Sequence, residues 1–166
     1  MRRQVPARLI AVAIAAGSMM LVPFSVPANA AAAGPQCTKL VSPPPKTIKG
    51  VATSTSTVSN CTPTASTGGS GKSVTQIGIT YKGKKKQTIS TTTWAAKKGT
   101  TISQLTYTGA KTLGKCPPAS LTHVIATGKV IGGTNKLIKV GSAVSASVCV
   151  AKNSSATLEP GTAWKF

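Results

Sequence analysis

Residues 73–108 read SVTQIGITYKGKKKQTISTTTWAAKKGTTISQLTYT. Three runs within this stretch, 73–81, 87–95 and 100–108, are rich in Thr, Ile, Tyr and Trp, whose branched or flat side chains pack well on a pleated surface. KGKKK at 82–86 and AKKG at 96–99 separate them, and such short polar segments with a glycine are turn chemistry. Two turns so close together leave strand, turn, strand, turn, strand as the reading of the stretch.

The same texture extends in both directions. Further strands are predicted at 47–59 (TIKGVATSTSTVS), 121–131 (LTHVIATGKVI), 136–150 with a break at Gly141, and a short end at 162–166. TGGSGK, GKCPP and IGGTNK supply the remaining turns. Alternation puts Ile77, Ile79 and Tyr81 on one face of their strand, and Val144, Ala146, Val148 and Val150 on one face of theirs. Thr53, Thr55 and Thr57, like Thr91 and Thr93, form threonine rows that suit a solvated face. They do not recur at a fixed interval, so a regular threonine lattice is excluded. The fold class that follows is all-β, an antiparallel β-sandwich or small barrel of about seven strands.

The front of the chain is of another kind. MRRQVPARLIAVAIAAGSMMLVPFSVPANA carries Arg2, Arg3 and Arg8, then an apolar run from Leu9 to Val22, then Ala28-Asn29-Ala30. This is the order of a signal peptide cut after Ala30, and the run is shorter than the ~20 apolar residues a bilayer span needs. Residues 1–30 are therefore read as a signal peptide, 31–46 as a flexible proline-rich leader, and 47–166 as a single β domain, secreted and extracellular, with the cell envelope as one destination. No transmembrane anchor is expected in the mature chain.

All three arginines lie in that signal segment, so the chain after Ala30 holds 17 lysines against one glutamate, a net charge of +16. Self-repulsion of that size favours a soluble monomer and draws polyanions. Cys37, Cys61, Cys116 and Cys149 are even in number, widely spaced, and lack the C-x-x-C pairs of a zinc site, so they read as two disulfides and no metal. Three pairings are open. Neighbour pairing, Cys37 with Cys61 and Cys116 with Cys149, closes the shortest loops and is the expected one, each bridge stabilising by about 3 kcal/mol through loop entropy.

Several motifs carry a resemblance. NCT at 60–62, TTTW ending at Trp94, ATGKVIGGT from Ala126 to Thr134, CV at 149–150 and the closing LEPGTAWKF occur in an order that resembles a group of short secreted actinobacterial proteins of unknown function. The resemblance implies an exported, all-β protein and no active residues.

The scarcity of carboxylates excludes much chemistry. Glu159 is the sole acidic side chain and there is no aspartate. Glycosidases of the usual kind need two carboxyl groups, and aspartic proteolysis, calcium loops and magnesium-dependent phosphoryl transfer need carboxylates this chain lacks. One hydrolase variant survives on paper, Glu159 with His123 and a serine, though no G-x-S-x-G elbow presents the serine. His123 is otherwise a strand residue facing solvent or the rim, and Glu159 a turn residue that pairs with a lysine. The expectation is a non-enzymatic domain without cofactor.

The lysines then carry the remaining chemical content. Lys82, Lys84, Lys85 and Lys86 fall at one hairpin tip and Lys97 and Lys98 in the next turn, which predicts a positive pole built from two adjacent tips. Lysine gives point-charge attraction to phosphate without the bidentate base readout of arginine. With Trp94, Trp164, Tyr81, Tyr107 and Phe166 as the only aromatics after Ala30, no stacking platform for single strands is formed. Partners are thus anionic envelope polymers or acidic surfaces bound without specificity, rather than a nucleic-acid sequence. The alternative is a structural or protein-interaction domain whose charge is incidental.

Overall fold

The computed structural model describes residues 34–166; the segment read as a signal peptide, 1–30, and residues 31–33 of the expected leader lie outside the described residues. Strand makes up 62% of the described chain and helix 3%, so the all-β expectation holds and the architecture is a closed barrel of eight antiparallel strands. The ring runs β1 (Gln36–Ser42), β3 (Val51–Thr62), β4 (Ser70–Tyr81), β5 (Lys84–Trp94), β6 (Thr100–Gly109), β7 (Ser120–Gly133), β8 (Ala143–Ala151) and β9 (Ala156–Leu158). It closes because β1 pairs with β3 along one edge and with β9 along the other. Two short strands are added: β2 (Lys46–Ile48) on β3, and β10 (Trp164–Lys165), which bonds both β1 and β8 beside the short β9.

Each strand of the run β3 to β8 follows its neighbour through a short connection, so successive turns alternate between the two ends of the barrel. Lys82 and Gly83, with φ of 46° and 78°, make the two-residue turn with both central residues left-handed that matches strand twist. Lys49 and Gly50 repeat the device between β2 and β3.

Register assigns the interior. Ser54 faces Thr75 across β3 and β4, Thr75 faces Ser90, and Ser90 faces Ser103; a second row runs Ser56, Ser73, Thr92, Thr101. These hydroxyls bond one another: Ser73 and Thr92 at 2.7 Å, Thr75 to Ser90 at 2.9 Å, Ser42 and Ser54 at 2.8 Å. On the other half of the ring the inward residues are Val124, Ala126, Val144, Ala146, Val148 and, on β1, Leu40. One wall is hydroxylic and the other aliphatic.

The end at which β3 and β5 finish is closed. Trp94 packs edge-on to Phe166 with ring centres 4.9 Å apart, Trp164 lies beside Phe166 at 6.2 Å, and the Trp94 indole donates to Thr101 Oγ1 at 2.8 Å. The Cys37–Cys61 disulfide lies between register partners of β1 and β3 at this end, and both cysteines are buried. Asn135 ties the loops there, donating to the Ser66 carbonyl at 2.7 Å while its Oδ1 accepts from the amides of Leu137 and Ile138.

Four expectations need correction. Ten strands form, not seven. Gln36–Ser42, assigned to the flexible leader, is a barrel strand, because the proline run begins only at Pro43 and both Cys37 and Leu40 are buried ahead of it. Residues 136–142 are loop rather than strand: the Asn135 side chain bonds the next turn and pushes Ile138 into the core, and β8 starts at Ala143. The Ile77, Ile79, Tyr81 face is broken at Gly78, whose φ of 72° makes a bulge and shifts the pairing with β5 between Gln76 and Ile79.

Candidate functional site

The lysine turns separate. Lys82, Lys84, Lys85 and Lys86 sit at the end of the barrel where β4 gives way to β5, whereas Lys97 and Lys98 lie between β5 and β6 at the closed end. β5 opens with Lys84, Lys85 and Lys86, so its remaining residues, Gln87 to Trp94, put roughly 26 Å of strand between the two groups at ~3.3 Å per residue. The single pole predicted from adjacent tips does not form, because consecutive turns of an antiparallel meander emerge at opposite ends.

What forms instead is an arm. Pairing of β4 with β3 stops at Ile77, pairing of β5 with β6 begins at Thr88, and the segment beyond, Ile79 with Gln87 and Tyr81 with Lys84, is two-stranded only. It carries Lys82, Lys84, Lys85 and Lys86, all exposed, with the Lys82 ammonium 5.7 Å from the Tyr81 ring centre. Lys46, Lys49, Lys111, Lys115 and Lys152 belong to connections or strand ends at the same end of the barrel, and each is exposed. These five were not singled out in the sequence, since only the alternation of turns shows that they share an end.

The lone carboxylate and the lone histidine do meet. His123 on β7 and Ser147 on β8 share the outer face of the barrel, and Glu159 follows β9. Ser147 Oγ donates to Glu159 Oε2 at 2.7 Å and lies 2.5 Å from His123 Nε2, which is itself 3.5 Å from the carboxylate. Glu159 Oε1 accepts the backbone N–H of Lys115 at 2.8 Å, and His123 Nδ1 is 3.0 Å from the Thr112 carbonyl, so that nitrogen carries a proton. The Lys115 amide and then the Ser147 hydroxyl hold the Glu159 carboxyl below its ordinary value. Its partners are thus a backbone amide, a hydroxyl and an imidazole, and not the lysine ammonium predicted for it. His123 is 8% exposed and Glu159 13% in their side chains, so neither faces open solvent as a free residue would.

Both outward side-chain hydrogen bonds of this group, from Glu159 and His123, go to the 110–119 connection, which the Cys116–Cys149 disulfide also fastens to β8. Gly114, at φ 55°, passes so close that a β-carbon there would collide with the Glu159 carboxylate. A hydrolytic triad sets its acid on the far ring nitrogen from the serine. Here serine and acid both crowd Nε2, and a main-chain carbonyl occupies the Nδ1 side. The arrangement clamps a loop.

Among the described residues, no three His, Cys, Asp or Glu side chains are placed to hold a metal, and no helix is long and apolar enough to cross a membrane. Comparison with known protein families, characterised proteins and solved structures finds no match. The class that fold and site define is a disulfide-linked, closed antiparallel barrel with a cationic open end.

Proposed function

We propose that this chain is an exported, non-enzymatic domain of the kind implied by its signal segment and its likeness to secreted actinobacterial proteins. Its lysine-bearing end associates with anionic cell-envelope polymers, such as teichoic acids, acidic glycans or lipid headgroups. The observation that supports this most is the projecting arm, four exposed lysines in five residues with no acidic side chain on it. Glu159, the only acid, is engaged by Ser147 and the Lys115 amide, so it does not neutralise the arm. Attraction by ammonium groups alone is unspecific and steeply dependent on salt.

The test replaces Lys84, Lys85 and Lys86 by Gln and compares the variant with Lys97→Gln/Lys98→Gln at the opposite end. Binding to teichoic acid should weaken with the arm variant and hardly change with the other. For duplex DNA as a probe polyanion, the slope of log affinity against log salt should fall by up to ~2.7 for the arm, about 0.9 per phosphate contact. Equal loss per lysine in both variants would show that net charge alone attracts polymers, the incidental-charge reading. A hydrolase using Glu159 and His123 remains the second reading on one observation, their contact through Ser147, which borders an outer groove. Ester hydrolysis that survives purification and vanishes in Ser147→Ala would favour it.

A further inference from the structure

The barrel is open inside at the end opposite the Trp94 and Phe166 packing. A cavity of about 410 Å³ lies there, within the size range of pockets that take small molecules. Eight strands enclose an interior that large side chains would fill, or that one small ligand can occupy when they are absent. Here the inward residues of β3, β4 and β9 at this level are Ser54, Ser56, Ser73, Thr75 and Ala156, too small to meet across the ring.

The cavity has two chemically distinct walls. Val124, Val148, Val150 and Leu40 form the aliphatic one, and the serines and Thr75 form the other. No charged residue lines it. The Trp164 indole N–H is buried without a hydrogen-bond partner among the described residues, and Trp164 lines the void together with Ser56, which is 8% exposed, whereas Ser73 and Thr75 are bonded to Thr92 and Ser90. A buried N–H left without a partner calls for an acceptor. Tyr107 stands at the rim. Tyr107 is in phase with the inward Thr101, Ser103 and Leu105 and lines the cavity although 41% of the residue is exposed, and burial pushes its phenol above the ordinary value, opposed in part by hydrogen bonding to Thr75.

We infer that the barrel interior is a binding site for an uncharged small molecule with an apolar face and a carbonyl or hydroxyl edge. The apolar face lies on the valines and Leu40, and the edge accepts from the Trp164 indole N–H beside Ser56 and the Tyr107 phenol. An ionised ligand is disfavoured, since nothing in the cavity compensates a buried charge. This site is separate from the lysine arm and does not depend on the polymer reading.

The probe is Prodan, a neutral naphthyl ketone whose emission shifts to the blue in apolar, water-poor surroundings. Titrated with the chain carrying both disulfides, it should saturate at one per barrel, with blue-shifted emission and quenching of tryptophan fluorescence, unchanged between low and high salt. Ser56→Leu and Ala156→Leu, at separate points of the wall, should abolish the shift while near-ultraviolet circular dichroism keeps its native form. Tyr107→Phe should weaken binding about five- to tenfold, the loss of one hydrogen bond. Lys84→Gln/Lys85→Gln/Lys86→Gln should bind Prodan as the parent does, even if it no longer holds polymer. Absence of a saturable shift, or a shift that persists in a folded Leu variant, overturns the site and leaves the cavity to water.

Discussion

The two ends of the barrel are built on opposite terms. At the closed end Trp94, Trp164, Phe166 and the Cys37–Cys61 bridge fill the ring, and Asn135 laces the outer loops. At the open end small side chains leave a void, a lysine-bearing arm projects, and the 110–119 connection is folded back and held by Cys116–Cys149 with Glu159 and His123. The aromatic packing therefore lies at one end, and the void and the projecting lysines at the other. A barrel packed equally throughout would have no room for a ligand, and one open at both ends would lack the aromatic burial that dominates core energetics.

The largest effect should come from emptying the closed end. Trp94→Ala removes a 3%-exposed ring together with its contact to Phe166 and its bond to Thr101, and should lower unfolding free energy by about 3–5 kcal/mol in denaturant titration. A loss below about 1 kcal/mol would mean that the aromatic cluster does not carry the fold.

The two disulfides sharpen the contrast. Replacing Cys37 and Cys61 together by Ser should cost about 3 kcal/mol of global stability, because the bridge joins two strands at the point of ring closure. Replacing Cys116 and Cys149 should act first on the connection. Trypsin should cut after Lys111 or Lys115 while the barrel is still folded, and a global unfolding that precedes cleavage would contradict the division.

A subtler change is expected at the clamp. The folded carboxyl of Glu159 titrates below its ordinary value of 4.5, so its contribution to stability is complete above that value and is lost as pH falls through the lower, folded one. The Lys115 amide resonance, which reports the bond to Oε1, should titrate over the same window in the parent and be flat in Glu159→Gln. Gly114→Ala should release the loop at every pH, since the new methyl displaces the carboxylate. The smallest effect belongs to the arm: the triple Gln change at Lys84, Lys85 and Lys86 should leave unfolding within about 0.5 kcal/mol of the parent, as all three are exposed.

Local pattern made much of this legible. β-branched runs between glycine-bearing turns located β3 to β7, and the Val144, Ala146, Val148, Val150 alternation appears as the inward face of β8. The neighbouring cysteines expected to pair do so. Gln36–Ser42 escaped because a strand with a proline run behind it looks like a leader, and its place in the ring depends on partners at Thr62 and Thr157. The hydroxyl rows were ambiguous in principle. Ser and Thr occupy both phases of β3 and β5, so period two separates the faces without saying which is inside.

The sequence by itself determined the β character, the turn positions, the even cysteine set, the excess of lysine and the lack of a second carboxylate, since these follow from residue type and spacing along the chain. Only the tertiary structure decided that the sheet closes on itself, that two lysine turns part to opposite ends, that Ser54, Ser56, Ser73 and Thr75 face a void, and that His123, Ser147 and Glu159 meet. Those outcomes depend on register between strands far apart in the chain, and register is set by the packing of the whole ring rather than by any one segment.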